Sequence, residues 1–424
     1  MQKLSKKPRE QSLSTFYYIS QTKTYLPIPP PMKKLITLLL LLYVTASFAQ
    51  DETQKLIKQL VEAKKYDSVI KLLNEADPNN QNPELTIAKS DIFLKYFVSS
   101  IMHQLFALKD LNENESIMDY RGKEGNFSMY SFPVDSILLR LIDKNPTKYE
   151  LHKMLGYFYH EVHLKYPDSW FISDSLIVSK FTQYYKTAYE NGVFDYWSAY
   201  GIGYGYLMQG DNLAAIPYFE KSVELNDSAP ATHYNLSYAY LFGENLDKAI
   251  TQASIALEQY VAPKLKADAA RIIAIAYNEQ KDYQKAYELY LTSDSIQSGN
   301  YYTLKALLNL EVLLNKDTQL GRALEFFLLA PENPTIYQDL MEIYWQNNKP
   351  DELISFLKAQ LDSNKSNNLI TGNIYFYLGN CYFMKENQEE AKKNFLMAKE
   401  LFSKDFPSNH PVFEAIDSYL NYTP

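Results

Sequence analysis

A residue pattern returns every 34 positions through the second half of this chain. Gly203-x-x-Tyr206…Ala215-x-x-x-Phe219-x-x-Ser222 aligns on Ser237-x-x-Tyr240…Ala249-x-x-x-Ala253-x-x-Ala256, and one step earlier lie Phe181, Tyr185 and Ala188. A fixed period of this length marks stacked helical hairpins, units too small to bury their own apolar faces without neighbours. Such a stack offers a long concave surface for holding partners and does not by itself supply an active site.

The rest of the sequence agrees with an elongated array. At 424 residues the chain exceeds what one compact core accommodates. Its 37 Tyr and 22 Phe suit a fold in which each repeat needs its own large packing residues, and Gly is scarce at 13. A hydrophobic content of 46% argues against disorder.

Residues 32–49 are laid out as a secretory signal: Lys33 and Lys34, then the apolar run from Leu35 to Val44, then the small-x-small site Ser47-Phe48-Ala49. The apolar stretch from Leu35 to Ala49 is 15 residues long, short of the roughly 20 that span a bilayer. Cleavage is expected between Ala49 and Gln50, although retention as an anchor is the alternative. The basic, Pro-containing residues 1–31 would displace a signal from the terminus, so translation is expected to begin at Met32. The expected location is therefore outside the cytoplasm, periplasmic or extracellular, with no membrane span after cleavage.

Residues 1–49 hold seven basic and one acidic side chain, so the remainder has 35 Lys+Arg against 49 Asp+Glu, a net of −14. That balance disfavours nucleic acid or an anionic membrane as a general partner. The single Cys381 lies in an apolar helical pattern and reads as a small core residue.

The repeat pattern resembles the tetratricopeptide repeat. The last unit, Tyr375-x-x-Leu378-Gly379-x-x-Tyr382…Ala391-x-x-x-Phe395-x-x-Ala398, fills each position of that family's pattern. Looser units run through Ala270, Ala274, Tyr277, Ala286 and Tyr290; through Leu307, Leu310, Ala323 and Phe327; and through Tyr337, Leu340, Tyr344, Leu353 and Leu357. Gly203, Gly379, Ala215, Ala249 and Ala391 would let paired helices approach closely. The breakers Gln209-Gly210-Asp211, Gly243-Glu244-Asn245, Asn347-Asn348-Lys349-Pro350 and Lys385-Glu386-Asn387 fall between the Tyr and the Ala, where a hairpin must turn. The resemblance implies an all-α, right-handed superhelical solenoid of about nine hairpins, two of them irregular.

The regular array covers residues 196–405, and residues 406–424 read as a capping helix (Pro411 to Tyr422). Residues 50–195 read as irregular hairpins with insertions. There Leu56 to Asp77 forms one hairpin, Pro83 to Lys109 a long helix, and residues 110–132 a loop. The unit with His152, Leu155, Gly156 and Tyr159 receives its second helix about 13 residues late, across Val162 to Asp174. Insertions on one side of a solenoid mark a binding side, or they reflect drift in the early repeats.

Chemistry-bearing motifs are few. His160-Glu161-Val162-His163 sets two imidazoles three apart, one residue too close for the His-Glu-x-x-His zinc signature, and no metal is expected. The sequence carries no Gly-rich phosphate loop, Ser nucleophile elbow or Cys/His pairing. The chain is expected to be non-catalytic, without a cofactor.

In the family, the first helix of each pair faces the concave side through positions two, five, nine and twelve. Carried over, these give Tyr157 and His160; then Trp197, Tyr200, Tyr204 and Leu207; then Tyr234, Tyr238 and Leu241; then Arg271, Ile275 and Asn278. Such an aromatic stripe would bind a protein or extended peptide segment, or its rings would pack between hairpins. The clamp that some relatives use for a terminal carboxylate needs Lys and Asn where Tyr200 and Tyr204 stand, and Asn235 alone does not rebuild it. Two other readings stay open: a structural envelope scaffold using its convex face, and a saccharide-binding protein stacking sugars on its rings.

Overall fold

The computed structural model describes residues 52–422, so the expected signal at 32–49 and the start at Met32 lie outside the described residues. Nine antiparallel hairpins and a closing helix follow in order among the described residues. The first pairs α1 (52–62) with α2 (Tyr66–Ala76). The second pairs α3 (Pro83–Tyr96) with α4 (Val134–Lys144) across a small sheet. Then come α5 (Tyr149–Lys165) with α6 (Asp174–Glu190), α7 (Tyr196–Met208) with α8 (Asn212–Leu225), and α9 (Pro230–Phe242) with α10 (Leu246–Gln259). The array continues through α11 (Pro263–Glu279) with α12 (Tyr283–Ile296), α13 (Tyr301–Leu313) with α14 (Gln319–Leu328), and α15 (Pro334–Gln346) with α16 (Pro350–Asn364). The last pair is α17 (Asn368–Met384) with α18 (Gln388–Asp405), covered by α19 (Pro411–Leu420). The architecture is the expected all-α solenoid.

The repeated residues have identifiable jobs. The short turns of the regular hairpins are Schellman closures: the Asp211 N–H donates to the Tyr206 carbonyl at 2.9 Å, Asn245 to Tyr240, Asp282 to Tyr277 and Asn387 to Tyr382. The residue between is left-handed, Gly210 once but Glu244, Lys281, Asn348 and Glu386 elsewhere, which costs a non-Gly residue about 1–2 kcal/mol. The donor that closes the turn then caps the next helix. The Asp211 carboxylate accepts from Ala214 N–H, Asn245 from Lys248 and Asn387 from Glu390.

Small against large residues set the helix spacing within a pair. A Cβ on Gly203 would meet the Phe219 ring at 2.9 Å, and one on Gly379 would meet Phe395 at 2.7 Å. Phe219, Phe395, Ala215, Ala249 and Ala391 are all buried. Cys381 is also buried, with its thiol pushed up to about 12 by burial, as fits a small core residue.

Curvature follows from how pairs stack. First helices of successive hairpins touch one another: α3 with α5, α5 with α7, α7 with α9, α9 with α11, α13 with α15 and α15 with α17. Second helices pack instead on the first helix that follows, α6 on α7, α8 on α9 and α10 on α11. The first helices therefore form the inner row.

The early region departs from expectation. The helix expected from Pro83 to Lys109 stops at Tyr96, and the apolar residues beyond it form β1 (Ser99–Ile101) and β2 (Leu105–Leu108). With β3 (Ser128–Ser131) these make an antiparallel sheet in the order β1-β2-β3, so the expected 110–132 loop is partly a strand. Phe106 and Leu108 are buried against Phe93 and Phe132, which the sheet brings into the helical core. Residues 162–165, expected within an insertion, complete the last turn of α5. At the other end, α19 sets Phe413 and Ile416 on Phe395 and Phe402, closing the last hairpin.

Candidate functional site on the inner row

On α3, Glu84, Ile87, Ala88, Asp91 and Lys95 share one helical face, and on α5 Glu150, Lys153, Met154, Tyr157 and Glu161 repeat the same spacing. Asp195, Tyr196 and Trp197 at the start of α7 close a cavity of about 740 Å³ between these faces, and Tyr185 of α6 reaches it from behind. The Tyr185 ring is wedged between two glycines, where a Cβ on Gly156 or Gly201 would lie 2.6 or 2.5 Å from it. The side chain is 1% exposed and the hydroxyl has no hydrogen-bond partner. Burial, with the charges of Asp195 and Glu161 nearby, raises its pKa well above the phenol range, so it stays protonated.

Five carboxylates and two lysines line this cavity. Burial pushes the Asp195 carboxyl up, but the Ser198 N–H and the Lys153 ammonium at 2.9 Å outweigh it and hold the group ionised. Glu84 is held below the usual carboxylate range, chiefly by its hydrogen bond to Lys148 at 2.8 Å. Lys95 lies 2.6 Å from Asp91 and 5.9 Å from the centroid of the Tyr157 ring.

Behind the Trp197 side of the cavity runs a ladder of rings along α7. Trp197 stacks on Tyr200 at 5.2 Å and Tyr200 on Tyr204 at 5.9 Å. His160, expected on the groove surface, is instead 1% exposed and lies against all three rungs at 5.2, 6.2 and 5.8 Å, with Phe181 at 4.8 Å. Burial, with a smaller push from His163, drives its pKa down to about 3, so it is a neutral supporting ring. The α7 ladder fills the space into which a surface residue of α5 would otherwise point.

Two rungs are tied by hydrogen bonds. Tyr200 accepts from the Asn235 amide at 2.9 Å. His163 Nδ1 lies 2.7 Å from an Asp174 carboxylate oxygen, and its Nε2 lies 3.3 Å from the Tyr204 hydroxyl.

Farther along the inner row, α9 and α11 enclose a second cavity of about 660 Å³. Tyr234, Tyr238 and Arg271 line it, with Arg271 paired to Asp268 at 2.8 Å. Tyr238 and Phe242 are exposed. Asn278 is half-buried on α11 and lines neither of these two cavities.

Of the expected residues, Tyr157 and Trp197 thus share the first cavity and Tyr234, Tyr238 and Arg271 the second. Tyr200 and Tyr204 belong to the ladder. Sequence reasoning missed the α3 face and Tyr185. The α3 residues did carry a signal, since Glu84, Ala88, Asp91 and Lys95 follow the spacing of Glu150, Met154, Tyr157 and Glu161.

No protein-family model matches the sequence, and comparison with curated proteins finds no match. Solved structures with similar helical arrangements include YrrB, described as a TPR protein with an unusual peptide-binding site, at 18% identity and a TM-score of 0.35, covering 41% of this chain and 81% of that one. A tetratricopeptide repeat protein from Parabacteroides merdae matches at 14% identity and a TM-score of 0.40, covering 64% of this chain and 97% of that one. The C-terminal part of a TPR repeat-containing protein from Cytophaga hutchinsonii matches at 13% identity and a TM-score of 0.37, covering 66% and 92%.

Proposed function

We propose that this chain is an exported, non-catalytic scaffold that binds an extended peptide or protein segment along its inner row of helices. The observation that carries the reading is the pair of ring-lined cavities on that row, one between α3, α5 and α7 and the other between α9 and α11. Tyrosine and tryptophan add contact area at small conformational cost and keep a polar tip for hydrogen bonds. The ladder and the wedged Tyr185 hold the first cavity's walls in place before a ligand arrives, which lowers the entropic cost of binding. Export is supported by the signal-like layout of residues 32–49.

Tyr196 and Tyr238 give a cleaner test than Trp197, whose ring is part of the ladder. They are 40% and 39% exposed and line the two cavities. Peptides selected on the wild-type protein from a random-sequence display library are expected to bind Tyr196→Ser/Tyr238→Ser at least about 30-fold more weakly, the loss of one aromatic hot spot of about 2 kcal/mol. Melting should stay within a few degrees. Unchanged affinity in this variant would remove both cavities from the reading.

A further inference from the structure

We infer that the cavity between α3, α5 and α7 takes the basic side chain, lysine or arginine, of the bound segment; this rests on the peptide-binding reading above. The lining is acidic, with Glu84, Asp91, Glu150, Glu161 and Asp195 against Lys95 and Lys153. Lysines outside the lining reduce the imbalance: Lys148 lies 2.8 Å from Glu84 and 3.9 Å from Glu150, and Lys165 pairs with Glu161. Arg121, which acts on Tyr157 together with Glu161 and Asp91 and donates to the Lys95 carbonyl at 3.1 Å, offsets the remaining carboxylate, so the acidic excess belongs to the lining itself. These lysine side chains keep 31–47% of their surface in water, and partly solvated ion pairs are worth about 1 kcal/mol, so a ligand cation can share or displace them.

The walls suit the same chemistry. Tyr157, Tyr196 and Trp197 all line the cavity, and a cation near aromatic faces gains from their quadrupoles. Lys95 already stands by the Tyr157 ring from the rim. Tyr185 also lines the cavity, and its hydroxyl, buried and without a partner, can accept a hydrogen bond from an ammonium or guanidinium group. The Trp197 Nε1–H, also buried and unpartnered, can only donate, which fits a carbonyl oxygen of the segment's backbone. An acidic side chain would meet like charge here. An apolar one would leave the Tyr185 hydroxyl unsatisfied.

The test reads the composition of the selected peptides. Random-sequence 12-residue peptides displayed and selected on the full chain should be enriched in Lys or Arg at one aligned position. Replacing that residue by acetyl-lysine or citrulline should weaken binding by about tenfold or more, as for a lost charge-assisted hydrogen bond. Asp91→Asn/Glu161→Gln should weaken the basic peptide by a similar factor while leaving its neutral analogue unaffected. Tyr185→Phe, which keeps the wedged ring, should weaken it less but measurably. Selected peptides that bind the inner row without any basic preference would overturn this inference and leave the peptide-binding reading intact. Failure to select any binding peptide would overturn both.

Discussion

Replacing Arg322 by Met is expected to destabilise the middle of the array by about 3–5 kcal/mol, the usual cost of breaking a buried ion pair from one side. Glu311 on α13 has no exposed side-chain surface, and Arg322 on α14 reaches it through Nε at 3.3 Å. The Thr318 hydroxyl donates to the same carboxylate at 2.9 Å and the Tyr287 hydroxyl at 3.3 Å. Two neutral donors cannot replace the guanidinium, so the variant leaves an under-compensated buried charge. The double variant Glu311→Met/Arg322→Met removes the Glu311 charge with its partner and should recover part of the loss, the remainder staying with Asp294, which Arg322 also pairs at 3.4 Å. Urea unfolding followed by tryptophan fluorescence, to which Trp345 on the adjacent α15 contributes, measures both. Equal losses in the single and double variants would show that the side chains matter for volume and not for charge.

The second large effect is a loss of stability on mild acidification. His103 and His160 are both buried, and burial drives each pKa from 6.5 to about 3. A depressed histidine pKa means that below pH 6.5 the unfolded chain binds a proton that the folded chain refuses. The stability these rings contribute is therefore intact above pH 6.5 and declines as pH falls toward 3. Between pH 7 and pH 5 each accounts for about 2 kcal/mol, about 4 kcal/mol together.

The surroundings offer no relief. Around His160 stand His163 and the rings of Phe181, Tyr185, Trp197, Tyr200 and Tyr204; near His103 are Lys165 and Arg121, both cationic. Carboxylates held low, such as Asp67 and Asp195, lose their contribution only near and below their ordinary range, in a more acidic window. His160→Phe keeps a ring in the stack and should remove about half of the pH 7-to-5 slope in urea midpoints. An unchanged slope would mean that His160 is protonated in the folded state.

The sequence disclosed the parts of this fold that depend on local rules. The 34-residue step, the Gly203–Phe219 and Gly379–Phe395 pairs, and the turns at Gly210, Glu244, Asn348 and Glu386 each follow from residues close in sequence. It failed where distant packing decides. The chain reverses at Met102–His103, two left-handed residues with φ of 45° and 49°, without the Asn-Gly or Asp-Gly signal of a tight hairpin. The apolar run through Leu105 to Leu108 therefore looked like more helix, and burial of His103 and Phe106 against the helical core resolves it as a strand.

The site was half legible for the same reason. Tyr157 and Trp197 fell on the expected positions, but Tyr185 reaches the cavity from a second helix through the gap left by Gly156 and Gly201. No rule about first-helix positions finds it. His160 shows the converse error, since a position that faces the groove in a regular unit is covered here by the α7 ring ladder.

Photo-crosslinking tests the central claim most directly. A selected peptide carrying benzoylphenylalanine at each position in turn is irradiated on the full chain, and the attachment sites are mapped by mass spectrometry. Crosslinks are expected on α3, α5, α7 and α9, in an order that tracks peptide position along the inner row. Attachment to the second helices α6, α8 and α10, or with no order along the array, would contradict it.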